Sequence, residues 1–345
     1  MMNIQRISFL LFCLSVGLML ATSCSSPTAN EVNVYSARHY QTDEDLFEAF
    51  TNETGIRVNL IKAGADQLIN RMEMEGANSP ADLFITADAG YMLQAREKNL
   101  LQPMEKSVYQ GIVPSYLYDS EGYWTGFTKR ARVIVYHTER VDPSELSTYE
   151  DLTEPEWQGR VLVRTSQNAY NQTLMASIIA AKGEEGALEW AKGLVANMAQ
   201  EPRGNDRDQI KGIAAEVGDV AIVNTYYMGL MLHSSNEEER QVAKQMGVFF
   251  PNQNGRGAHM NISAAAIAKN ARNKENAEKL ISYFLRNESQ QLFAEANHEY
   301  PVNSQTPWTD LQKQWGGFKP DTIPLDQLTP HLSKATKLFD EAGWK

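Results

Sequence analysis

Four tyrosines and one histidine stand where the side chains of an α/β protein would converge on a ligand. They occur as His39-Tyr40, as Tyr170 and as the pair Tyr226-Tyr227, each shortly after a segment with the pattern of a strand. The adjacent pair alone carries little weight, because 14 tyrosines in 345 residues give about half such a pair by chance. Phenol oxygens and an imidazole nitrogen together form a donor set for a hard, highly charged cation.

Phenolate is a strongly basic oxygen donor, and this favours a trivalent ion such as Fe(III). A free phenol has a pKa of about 10, so holding it ionised at pH 7 costs about 4 kcal/mol unless a cation compensates. Metal binding at such a site releases protons and weakens in acid. Four phenolates and a neutral histidine around Fe(III) carry one net negative charge, and Arg130 is the candidate for the balancing cation.

Hydrophobic periodicity predicts an alternating order of strands and helices. Strands are expected at 31–36, 56–60, 82–85, 132–136, 159–163, 219–223, 248–250 and 263–267. Helices are expected after Thr42 as an N-cap and at 65–75, 90–98, 174–182, 186–198, 206–216, 226–232, 274–285, 289–294 and 330–342. Two successive runs of this kind are typical of two α/β lobes, each with a mixed, mostly parallel sheet flanked by helices.

Open α/β sheets bind ligands beyond the carboxyl ends of their strands, at helix N-termini. That rule places His39 and Tyr40 at the binding edge of the first lobe, and Tyr170, Tyr226 and Tyr227 at that of the second. Taken singly, a tyrosine is most often a half-buried packing residue, a histidine a capping residue and an arginine half of a surface ion pair. The joint placement favours a cation site clamped between two lobes.

The amino terminus has the pattern of an export signal. Arg6 precedes an apolar core at 8–20, small residues follow, and then comes Cys24. The apolar core is too short to span a membrane, so residues 1–23 are predicted to be a cleaved signal peptide. The stretch around Cys24 also resembles a lipoprotein signal, which predicts a lipid anchor at Cys24 and a flexible tether over 24–30.

Charge and cysteine content restrict the partners. Removal of residues 1–23 takes away Arg6 and no acid, so the formal net charge moves from −11 to −12. Such a chain is not built to bind nucleic acid or anionic lipid by charge. The other of the two cysteines, Cys13, leaves with the signal peptide, so the mature chain is expected to have no internal disulfide and no thiolate metal site.

Two other classes of function stay open at this point. One is a receptor of the same fold for another solute, such as an oxyanion, a polyamine or a thiamine-like molecule. The other is a secreted metal-dependent enzyme, which needs an open coordination position and a general base that the sequence does not assign. Nucleophile-elbow, zinc-protease, phosphate-loop and Cys-x-x-Cys motifs are absent from the sequence. We therefore expect a binding protein and not an enzyme.

Several segments together resemble the bacterial periplasmic ferric-ion-binding proteins, the substrate-binding components of iron ABC transporters. The resemblance runs from about Val32 to the carboxyl terminus. Its markers lie at 34–40, 82–90, 126–133, 169–172, 204–208 and 224–227. One branch of that family adds a glutamate after the third strand and a bound anion. Here that loop reads Thr86-Ala87-Asp88-Ala89, so the chain is similar to the tyrosine-rich branch, which includes cyanobacterial members.

The resemblance implies a two-lobed periplasmic binding protein of type II with a hinge between the lobes. It implies a first lobe at 31–128 plus 257–306 and a second at 129–256 plus 307–345. The implied Fe(III) ligands are His39, Tyr40, Tyr170, Tyr226 and Tyr227, with Arg130 behind them, although members of that branch can leave the histidine off the metal. It also implies a monomer in the periplasm that delivers ferric ion to an ABC permease in the inner membrane.

Overall fold

A computed structural model describes residues 30–345. The predicted signal peptide at 1–23, Cys24 and all of the tether except Asn30 lie outside the described residues. Residues 31–345 form one compact unit. Within residues 30–345, no helix has the length and the apolar composition needed to cross a membrane.

The strands are numbered in chain order. They are β1 Glu31–Ser36, β2 Arg57–Lys62, β3 Leu83–Thr86, β4 Leu101–Gln102, β5 Thr125–His137, β6 Val161–Leu162, β7 Val220–Asn224, β8 Met246–Phe249, β9 Met260–Ala268 and β10 Tyr300–Pro301. The helices are numbered in the same way. They are α1 Gln41–Thr54, α2 Ala65–Glu75, α3 Ala89–Glu97, α4 Ala169–Asn197, α5 Asp206–Ala214, α6 Thr225–Leu232, α7 Glu237–Lys244, α8 Lys274–Phe284, α9 Asn287–Ala296, α10 Asp310–Trp315 and α11 Thr329–Ala342.

The strand order is β2-β1-β3-β9-β5-β7-β6, while β4 pairs with β9 and both β8 and β10 pair with β5. The pairs β1–β2, β1–β3 and β6–β7 are parallel. All pairs made by β5 and β9 are antiparallel. The mixed sheet flanked by helices is confirmed, but its parallel share is smaller than predicted, because β5 and β9 run antiparallel through its middle.

Strand β5 connects two parts of the sheet. Its first half, up to Ala131, pairs with β9, and its second half, from Arg132, pairs with β7. The prediction for this strand covered only 132–136. Its first half was missed because nearly every residue of β5 is buried, so apolar and polar residues do not alternate along it.

Apolar residues fill cores on both sides of this connection. One core joins β1, β3 and β9 to α1, α8 and the segment around Trp124. On the other side, alternate residues of β5 face opposite ways, so Ile134 packs in one core with Trp190 and Val133 packs in another with Met228. This period of two is the ordinary consequence of strand geometry.

Two helix predictions need correction. Thr42 is not the N-cap of α1, because Tyr40 occupies that position and the Thr42 hydroxyl donates instead to Asn297 Oδ1 at 3.0 Å. Helix α4 begins five residues before the predicted 174, with Asn168 as its capping residue. The predicted separation into two helices is confirmed at Gly183, whose φ of 76° interrupts the helical backbone.

Candidate metal centre

The five predicted donor residues line one cavity of about 450 Å³. They come from the loop after β1, the start of α4 and the start of α6, and the structure brings them together across more than 180 residues of sequence. The cavity is lined by Ala37, Arg38, His39, Tyr40, Ala87, Tyr170, Asn205, Arg207, Tyr226, Tyr227 and Leu230.

All four tyrosines lie at helix N-termini. Tyr40 is the N-cap residue of α1, Tyr170 is in the first turn of α4, and Tyr226 and Tyr227 are in the first turn of α6. The N-terminus of a helix carries a partial positive charge and unpaired backbone N–H groups, and both stabilise an anion. Three helices therefore present their positive ends to the phenol groups.

The aromatic rings are in contact with one another. The Tyr226 and Tyr227 ring centres are 4.1 Å apart with an angle of 32° between the ring planes. Tyr40 and Tyr226 meet edge to face, with ring centres 6.4 Å apart and an angle of 84° between the ring planes. Tyr226 and Tyr170 are buried, Tyr40 and Tyr227 are half-buried, and His39 is exposed at the edge of the cavity.

Without a metal, Tyr40, Tyr226 and Tyr227 are held in the neutral form. Burial raises the pKa of Tyr226 well above the ordinary value for a phenol, and the neighbouring Tyr170 and Tyr40 raise it further. Burial likewise raises the pKa of Tyr40 and of Tyr227. Arg130 acts in the opposite direction on Tyr226 and Tyr40, but it does not outweigh burial. Ionising these groups therefore requires a cation in the cavity.

Arg130 lies close to the rings of Tyr170 and Tyr226. Its guanidinium carbon is 5.7 Å from the Tyr170 ring centre and 5.5 Å from that of Tyr226. The side chain is buried, and its Nη1 donates to Glu299 Oε1 at 2.8 Å and to Ser263 Oγ at 2.7 Å, while Nη2 donates to the Ala87 carbonyl oxygen. These bonds fix a positive charge close to two of the rings.

Arg38 supplies a second cation that sequence reasoning missed. Its guanidinium carbon is 4.6 Å from the Tyr40 ring centre. Its Nε and Nη2 donate to the two oxygens of Asp43 at 2.8 and 3.0 Å, and its Nη groups donate to Glu299 at 3.0 Å. Arg38 precedes the His-Tyr pair directly, and that adjacency was the available signal. Glu299 gave no local signal, since it lies 261 residues away in sequence.

Two more arginines approach Tyr170 from the other side. The guanidinium carbons of Arg132 and Arg164 are each 5.8 Å from the Tyr170 ring centre. Both donate to the buried carboxylate of Asp206, at 2.7 and 2.6 Å. Asp206 is the first residue of α5, and Asn205 caps that helix through its side chain.

Carboxylates, imidazoles and thiols do not form a competing site in the described part of the chain. Among residues 30–345, no group of three or more histidine, cysteine, aspartate or glutamate side chains is arranged to hold a metal ion. The phenols of the cavity are thus the clustered anionic oxygen donors that these residues offer to a hard cation.

The mixed sheet with a long connecting strand, and the polar cavity at the ends of strands and starts of helices, define a two-lobed extracytoplasmic solute-binding protein. A model of the bacterial extracellular solute-binding protein family matches residues 78–316, and the chain belongs to that family. Iron uptake protein A1 of Synechocystis is 47% identical over 344 residues, which cover 97% of this chain and 96% of that protein.

Solved structures agree with this assignment. The Trichodesmium protein IdiA (FutA), solved in complex with iron and citrate, is 47% identical and superimposes with a TM-score of 0.89 over 91% of this chain and 100% of that one. Apo FutA2 from Synechocystis is 41% identical, with a TM-score of 0.87 over 92% of this chain and 100% of that one.

Proposed function

We propose that the protein captures ferric ion with the phenolates of Tyr40, Tyr170, Tyr226 and Tyr227, with His39 as a fifth donor at the exposed edge, and delivers it to an ABC permease. The observation that carries this proposal is the convergence of four phenols from three helix N-termini on one cavity. The names of the relatives support it, since they are iron uptake and ferric-binding proteins.

The energetics of the phenols favour a trivalent ion. An ordinary phenol costs about 4 kcal/mol to ionise at pH 7, and burial adds to that cost for Tyr40, Tyr226 and Tyr227. A charge of three at coordination distance offsets this cost far more effectively than a charge of two, because the Coulomb energy scales with the charge of the ion. The arginines and the helix N-termini lower the remaining cost, so the cavity matches Fe(III) better than a divalent cation.

The same proposal covers the arrangement of the chain. The lobes comprise 31–128 plus 257–306 and 129–256 plus 307–345, and they close on the ion by bending at the connecting strands. The protein acts as a monomeric receptor in the periplasm, held by a lipid at Cys24 after removal of the signal peptide. It performs no catalysis, because capture and delivery need only reversible coordination.

Visible spectroscopy tests the proposal directly. Purified protein mixed with Fe(III)-citrate should turn orange to red-purple from phenolate-to-iron charge transfer, with one iron per chain by elemental analysis. The double variant Tyr226→Phe, Tyr227→Phe should lose most of the colour. The matched control is Tyr109→Phe, Tyr118→Phe, which removes hydroxyls from another contacting tyrosine pair, with ring centres 4.7 Å apart, outside the cavity. A colourless, iron-free wild-type protein would instead favour a receptor for another solute.

A further inference from the structure

A buried carboxylate joins two of the arginines that face the phenols. Glu299 has no exposed surface. Its oxygens accept from Arg38 Nη1 and Nη2 at 3.0 Å and from Arg130 Nη1 at 2.8 Å. The remaining polar neighbours are uncharged: Ser263 Oγ is 3.3 Å away and Asn297 Nδ2 is 3.4 Å away.

The charges in this cluster cancel. Arg38 and Arg130 contribute two positive charges, and Glu299 and Asp43 contribute two negative charges through ion pairs of 2.8 to 3.0 Å. Arg38 lies 4.6 Å from the Tyr40 ring centre and Arg130 lies 5.5 Å from that of Tyr226. The cavity is thus backed by cations whose field is largely neutralised by carboxylates placed behind them.

Glu299 is ionised in this setting and acts on the phenols. Burial would raise its pKa, but Arg38 and Arg130 outweigh burial and hold the pKa below the ordinary value for a glutamate. Its charge lies close to the phenols, because the Arg38 guanidinium with which it pairs is 4.6 Å from the Tyr40 ring centre. A carboxylate that disfavours a phenolate also disfavours the net negative complex of Fe(III) with four phenolates.

We propose that Glu299 limits the affinity of the phenol cavity for ferric ion by cancelling one positive charge behind the rings. The inference rests on the proposed function and adds to it a residue that tunes the strength of binding without touching the metal. A receptor that hands its cargo to a permease must release it, and a neutral charge cluster adds less to the affinity of the site than two unpaired arginines would.

The test compares stability and affinity in Glu299→Gln. This variant keeps the side-chain shape but leaves one buried positive charge in excess, so the apo protein should melt at a lower temperature than wild type. Its affinity for Fe(III), measured at neutral pH by competition with nitrilotriacetate and read from the charge-transfer band, should rise about tenfold. A residue with a merely structural role would lower stability and affinity together.

Three further variants fix the interpretation. Glu299→Asp keeps the charge and should bind iron no more tightly than wild type, whereas Arg130→Gln removes a positive charge and should bind it about tenfold more weakly. Asp43→Asn removes the other carboxylate of the cluster and should also tighten binding, which tests the same charge argument if Glu299→Gln fails to fold. Unchanged or weakened affinity in Glu299→Gln, or in Asp43→Asn in its place, would overturn the inference.

The wild-type control separates this inference from the function on which it rests. If wild-type protein gives no charge-transfer band with Fe(III), the proposed function itself is wrong. If wild type gives the band and loses it on mutation of Tyr226 and Tyr227, the function stands, and the sign of the Glu299→Gln effect decides the inference alone.

Discussion

Loading the cavity with ferric ion near neutral pH should release about four protons, one for each coordinating phenol. Burial holds the pKa of Tyr40, Tyr226 and Tyr227 above the ordinary phenol value of about 10. At pH 7 the neutral form of each therefore exceeds the phenolate form by a factor of about 1000 or more. Each phenol that becomes a ligand therefore gives up one whole proton. An imidazole ligand binds in its neutral form and adds little to the count.

The same numbers give the free energy that the metal has to offset. At about 1.36 kcal/mol for each pH unit below the pKa, one such phenol costs at least about 4 kcal/mol at pH 7, and Tyr40, Tyr226 and Tyr227 together cost at least about 12 kcal/mol. Because the cost of each falls as the pH rises, the apparent binding constant should increase by up to about four powers of ten per pH unit. Iron binding should therefore weaken steeply in mild acid.

A pH-stat titration with Fe(III)-nitrilotriacetate counts these protons once the proton that each freed nitrilotriacetate takes up is added back, with that uptake measured by displacing iron from the same complex with a chelator of known proton release. Tyr226→Phe should release one proton fewer than wild type, and so should Tyr40→Phe. Tyr109→Phe, outside the cavity, should match wild type. Release of one proton or none would refute the phenolate cage, and release of only two would restrict coordination to a single pair of tyrosines.

Three further predictions concern the scaffold. Gly257→Ala should lower the free energy of unfolding by about 2 kcal/mol or more in urea denaturation, because Gly257 has a φ of 96° and an added Cβ would lie 2.6 Å from backbone atoms. Gly255→Ala is the control and should cost much less, because the atom nearest to its added Cβ would be 3.6 Å away. Tyr149→Phe should cost about 1–3 kcal/mol, because its hydroxyl donates to one backbone carbonyl at 2.7 Å and accepts from a backbone N–H at 3.0 Å, both buried. Tyr109→Phe, whose hydroxyl has no hydrogen-bond partner among residues 30–345, should be nearly neutral. Burial raises the pKa of Tyr226 above the value of about 10 that a phenol has in the unfolded chain. The contribution of Tyr226 to the stability of the apo protein is therefore present below pH 10 and is lost as the pH rises above it. Tyr226→Phe should flatten this decline of the unfolding free energy in alkaline solution.

The donor residues could be predicted from the sequence because each obeys a local rule. A tyrosine that follows a strand and begins a helix must lie at the binding edge of an α/β sheet, whatever the rest of the chain does. Tyr226 and Tyr227 follow β7 directly, and the structure places them in the first turn of α6. Tyr170 is less close to its strand, but its place in the first turn of α4 leads it to the same cavity.

Local rules failed where tertiary contacts decide the outcome. Thr42 has the residue type of an N-cap, yet it is the second residue of α1 and its hydroxyl donates to Asn297, 255 residues away. The first half of β5 has no strand-like alternation, because residues on both of its faces are buried, and the strands that pair with it, β9 and β10, lie far along the chain. Neither partner can be identified from the residues around it.

The counter-charges show most clearly where sequence reasoning ends. The net negative charge of four phenolates around Fe(III) predicts a balancing cation, for which Arg130 is the candidate. The same argument gives no reason to look for an anion. The need for one arises only after Arg38 and Arg130 are both found buried beside the phenols, since two uncompensated guanidinium groups in a core are costly. Glu299 and Asp43, which lie far apart in the sequence, supply the two negative charges that pair with these arginines. The tyrosines of this cavity are thus positioned by local sequence, while the charges behind them are set by the fold.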